Sequence, residues 1–160
     1  MKRSLNEIGG MIHKAARGAG IPLGLADDLA AAGAYHVASG GAATEITEAL
    51  QDDTGVAFRG PVAIDAVLCD GQEQHLSNVR TPRLLMAMIA TRNVAVQADL
   101  RDDGVTLRVG PIQDTENPTG PVVIPDVDWD VWMTLAAKTY VPATEASRLG
   151  GAGAGLNDND

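Results

Sequence analysis

The chain reads as an α+β domain. A capping-box start is followed by two stretches of helical apolar spacing near the N-terminus. Two alternating apolar runs are joined by Asp103-Gly104, a pair suited to a tight hairpin turn. A hydrophobic content of 45% with aromatics at only 3% implies a fine-grained core of Ala, Val, Leu, Ile and Met. These observations predict an N-terminal helical hairpin plus a small, largely antiparallel sheet backed by helices.

Ser4 with Glu7 opens the first helix, in which Leu5, Ile8, Met11, Ile12, Ala15, Ala16 and Ala19 follow helical spacing. Gly18 and Gly20 stop it. Pro22 suits the start of a second helix carrying Leu25, Leu29, Ala32 and Val37 toward Gly40-Gly41. Small residues there, Gly24, Ala26, Ala30, Ala31 and Ala34, allow the two helices to pack closely. A short third helix is predicted over 44–50, ended by Asp52, Asp53 and Gly55. Val62, Ile64, Ala66 and Leu68 alternate with Ala63, Asp65, Val67 and Cys69, which predicts a strand with most of both faces buried, followed by a turn at Asp70-Gly71. Thr81-Pro82 starts a central helix with Leu84, Leu85, Met88 and Ile89 on its buried face. Strands are predicted over 94–100 and 105–109, a loop over 111–121, and an edge strand over 122–124. Asp126 or Asp128 then caps a last helix, which Trp129 and Trp132 anchor to the core.

At 160 residues the chain can bury a real core as one domain, expected over 1–141, with a polar glycine-rich tail over 142–160 belonging to it. A net charge of −9, from 21 Asp and Glu against 12 Lys and Arg, disfavours nucleic acid or an anionic membrane as partner. The single cysteine, Cys69, excludes an internal disulfide and points to a reducing cytoplasm. Polar and glycine residues after Met1-Lys2-Arg3 break the apolar run an export signal needs, and the longest apolar run falls short of a membrane span.

The tail has the densest polar chemistry. Its GGAGAG segment resembles phosphate loops in composition only, because a nucleotide fingerprint must follow a strand and open a helix. What remains is a carboxylate or phosphate held by Thr144, Ser147 and Arg148 beside the backbone N–H groups of glycines such as Gly151 and Gly153, against a plainer self-packing tail. The alternating Asn157-Asp158-Asn159-Asp160 offers hard oxygen ligands but lacks the loop of an EF-hand. Cys69, His75, His13 and His36 do not make a zinc spacing, so no metal is expected, and the sequence names no cofactor. Cys69 could be a nucleophile activated by His75, but at the end of an apolar strand a small buried thiol is expected. Asp65, if it faces inward, needs a partner such as Arg17 or Arg148; if outward, it marks an edge strand.

The stretches SLNEI, KAARGAG and PLGLA near the start, with YVPATEASRLGGAGAGLNDND at the end, resemble an uncharacterised bacterial family of similar length, catalogued as a domain of unknown function. The likeness is expected over most of the chain. It implies no activity, but suggests that the ARGAG turn and the GAGAG tail form one design, with Arg17 and Arg148 in an anion-receptive pocket. The functional expectation is a small-molecule enzyme or binding protein of bacterial metabolism acting on an anionic substrate. Any general acid or base would come from Asp65, His75 or Asp158. The alternative is an accessory subunit whose tail docks into a partner enzyme, or a homo-oligomer.

Overall fold

A computed structural model describes residues 1–115 and 118–139. Among them the chain runs β1 (Lys2–Arg3), α1 (Leu5–Gly18), α2 (Leu23–Ala38), α3 (Ala43–Gln51), α4 (Val56–Asp70), β2 (Gln74–Ser77), α5 (Pro82–Arg92), β3 (Val96–Arg101), β4 (Gly104–Val109), β5 (Val122–Val123) and α6 (Asp126–Ala137). The α+β class is as expected. The boundary between 141 and 142 lies outside the described residues.

The capping box is formed in full: Glu7 N donates to Ser4 Oγ at 3.2 Å, and Ser4 N donates to Glu7 Oε2 at 3.0 Å. This satisfies two N–H groups that the start of a helix otherwise leaves open. Ile8, Ile12, Ala15 and Ala16 then bury one face of α1 against α2, whose buried residues include Ala26, Leu29, Ala32 and Val37. Helix α6 packs across α1 at Gly18, where a Cβ would stand 1.8 Å from the Leu135 carbonyl oxygen. Only a glycine permits that approach. Trp132 is fully buried and Trp129 nearly so, so both anchor α6 as expected. A side chain of that size contributes about 1.5–3 kcal/mol or more on burial. Arg3 lies over the Trp129 ring at 3.6 Å, and β1 pairs antiparallel with β5, tying the N-terminus to the start of α6.

The main sheet is antiparallel in the order β2-β4-β3, with Val96 opposite Val109 and Arg101 opposite Gly104. Strands β3 and β4 form the expected hairpin. Strand β2, which pairs His75 with Thr106 and Leu76 with Val105, was not anticipated. Four residues with one buried side chain carry too weak an alternation.

The segment over 62–69 is not a strand but the second half of helix α4. Val56, Ala57, Gly60, Pro61, Ala63, Ile64 and Val67 are buried at helical spacing, while Val62 and Leu68, assigned to a buried strand face, are 61% and 42% exposed. Small apolar residues at nearly every position fit both periods. Contact with α5 decides between them, since Gly60 lies beneath Leu85 and Met88. As a consequence Cys69 is exposed on the last turn of α4, not buried, and Gly71 closes the helix in the left-handed conformation. Thr81 and Pro82 start α5 as expected, although the Thr81 side chain makes no capping hydrogen bond. Helix α6 begins after Pro125 without a side-chain cap from Asp126 or Asp128.

Candidate functional site

A polar recess of about 250 Å³ opens between the α3–α4 turn and the start of α5. The turn is shaped by Asp52, whose Oδ1 accepts from Thr54 N at 3.1 Å and Thr54 Oγ1 at 3.0 Å. Helix α4 starts at Gly55 with no side-chain cap and no acidic residue in its first turn. Its partial positive charge is therefore directed into the recess. Arg59, one turn further along, is fixed by donation from Nη1 to the Ser77 carbonyl at 3.0 Å. The remaining donors of its guanidinium are left for another acceptor. Arg80 and Thr81 enter from the β2–α5 connection, with Thr81 buried at 3% exposure and its hydroxyl free of a capping role. The Glu48 carboxylate lies on the same wall. Two guanidiniums and the starts of two helices thus face one recess.

Around the α2–α3 turn lies a second concentration of polar groups. His36 is buried, with Nε2 2.9 Å from Glu45 Oε2, within ion-pair range but without the alignment of a hydrogen bond. A Cβ on Gly41 would fall 2.3 Å from the imidazole, so the ring sits directly on that glycine. Burial lowers the His36 pKa from its ordinary 6.5; Glu45 and a hydrogen bond to the Ala42 backbone oppose the shift, and Arg83 adds to it. The arrangement holds a neutral imidazole as a pin for the turn. Asp128, on the other side of this turn, is also buried.

The residues singled out from the sequence are spread over the molecule. Arg17 is exposed on the last turn of α1, where it shares a shallow recess with His13, Lys14 and Thr139. Asp65 faces outward on α4 and pairs with Arg92 of α5, rather than with Arg17; Arg148, the other partner considered, lies outside the described residues. His75 is half-exposed, with Nδ1 3.2 Å from Thr106 Oγ1 and Nε2 3.5 Å from Asp103 Oδ2, so its nitrogens engage the hairpin. Thr144, Ser147, Arg148, Gly151, Gly153 and Asp158 lie outside the described residues. Arg59, Arg80, His36 and Glu45 were not anticipated. An arginine beside each of two uncapped helix starts, at Gly55 and at Thr81-Pro82, is the signal that could have found the recess. Among the described residues no group of three or more His, Cys, Asp or Glu could hold a metal ion. No helix among them is long and apolar enough to cross a membrane.

The family described as protein of unknown function (DUF3726) matches residues 3–59. The matched likeness covers α1 to α3 and the start of α4, including Arg59; the terminal stretch lies outside the matched residues. No curated protein and no solved structure matches the chain.

Proposed function

We propose that the protein binds a small anionic molecule in the recess between the α3–α4 turn and the start of α5. The observation that supports this is the convergence of Arg59 and Arg80 with the α4 and α5 starts on one polar recess. Helix starts and planar guanidiniums favour carboxylate and phosphate groups, and the fixed Arg59 loses little freedom on binding. The Thr81 hydroxyl supplies a neutral donor or acceptor. Glu48 opposes a heavily charged polyanion, so a ligand with one anionic group fits best. A reducing cytoplasm of a bacterial cell suits the single thiol, and metabolism supplies such anions there.

Isothermal titration with inorganic phosphate and with small mono- and dicarboxylates tests the reading. The full chain is expected to bind at least one of them. Arg59→Lys should weaken that affinity by roughly tenfold, because lysine keeps the charge but loses the planar donor pair. A chain truncated after Arg148 should bind unchanged. If truncation abolishes binding and Arg59→Lys does not, the site returns to Arg17 and the terminal segment. If no anion binds either chain, the accessory-subunit reading takes its place.

A further inference from the structure

Asp128 stands in the first turn of α6 and is only 3% exposed. Its Oδ1 accepts from Thr47 Oγ1 at 2.7 Å, and Thr47 Oγ1 in turn accepts from Trp132 Nε1 at 2.9 Å. The second oxygen, Oδ2, is buried and has no hydrogen-bond partner. A carboxylate removed from water needs a donor for each oxygen, and an unfilled position is costly. The starts of α3 and α6 lie beside it, but neither gives Oδ2 a donor.

Asp128 lines a recess of about 350 Å³ between the α2–α3 turn and β5. Its walls are mainly apolar, formed by Val37, Ala43, Val122, Ile124 and Pro125, and no Lys, Arg or His lines it. The chemistry missing from this space is a positive donor on an apolar body. We propose that the recess is a second binding site, for a primary ammonium group on a short aliphatic chain, with Asp128 Oδ2 as the acceptor. An ammonium fits better than a guanidinium, because Oδ1 is already committed to Thr47 and a planar fork needs both oxygens. The site is separate from the anion-binding recess and does not depend on it.

The two tryptophans of the chain, Trp129 and Trp132, are both on α6, and Trp132 reaches Asp128 through Thr47, so intrinsic fluorescence reports on the site. Full-length protein is titrated with n-butylammonium and, in parallel, with n-butanol. Saturable binding of n-butylammonium, with n-butanol at least about tenfold weaker, is the expected result, since only the cation completes a charge-assisted hydrogen bond. Asp128→Asn keeps the acceptor for Thr47 but places an N–H₂ group against the cation, and should weaken n-butylammonium binding by about tenfold or more. Val123→Lys introduces a tethered ammonium at a wall position that is 62% exposed, so folding is not threatened, and it should suppress binding likewise. No saturable response in the parent protein overturns the proposal, as does equal affinity for n-butanol. If folded Asp128→Asn binds n-butylammonium unchanged, the proposal also fails; should that variant not fold, unchanged binding by Val123→Lys decides against it.

Discussion

His36 shows how burial turns one side chain into a pH-dependent element of stability. Desolvation lowers its pKa from 6.5 in the folded protein, while the unfolded chain keeps the ordinary value. Well above pH 6.5 neither state is protonated, and the residue contributes no slope. As pH falls through 6.5 the unfolded chain takes up the proton first, so stability drops until the lower folded pKa is reached. Denaturant unfolding of the parent should therefore show a declining free energy between about pH 7 and 5, and His36→Gln should flatten that decline. An unchanged slope in the variant would assign it to other groups. Cys69 makes a different point at the same scale: a thiol expected in the core is exposed because its segment is a helix.

Close backbone approach governs the packing of the elements. Helix α6 crosses α1 with the Leu135 carbonyl against Gly18, and no rotamer change can relieve a Cβ at 1.8 Å from a main-chain oxygen. Gly18→Ala should therefore cost at least about 2 kcal/mol in unfolding free energy, toward the upper part of the range for overpacking, because a helix rather than a side chain must move. The residue also ties Arg17 to the end of α6, since Arg17 and Thr139 line one recess. A loss below about 0.5 kcal/mol would mean that the two helices separate easily. The ARGAG turn thus has a packing reason for its glycine, independent of any ligand.

Across the whole molecule, the helical layer and the helices backing the sheet meet at Arg92. Its Nη2 pairs with Asp65 of α4, its Nη1 lies 3.9 Å from Asp28 Oδ2 of α2, and Nη1 donates to the Pro61 carbonyl at 3.4 Å. Burial raises the Asp28 pKa, an effect that Arg92 opposes. Removing the cation would leave two carboxylates near one another without their counter-charge. Because Asp65 is largely exposed, solvent screens much of the interaction, and Arg92→Ala should cost about 1–2 kcal/mol. Chemical denaturation measures it directly. A loss that is fully recovered in the Asp28→Asn, Arg92→Ala double variant would place the effect on the half-buried Asp28.

The sequence by itself determined the elements whose signals are local. The Ser4–Glu7 capping box, the helical spacing of the first two helices, Thr81-Pro82 and the Asp103-Gly104 turn each involve residues a few positions apart, so their outcome depends little on the rest of the chain. The tertiary structure decided what local signals left open. The 62–69 segment satisfies two periods, and only packing of α4 on α5 makes it a helix. That change exposes Cys69, turns Asp65 toward Arg92, and places Arg59 beside Ser77. The recess of Arg59, Arg80 and Thr81, and the link from Thr47 to Asp128, join residues far apart in sequence. Periodicity reports which face of an element is apolar. Which charged groups then share a space, and which buried oxygen lacks a donor, follows from how those faces pack.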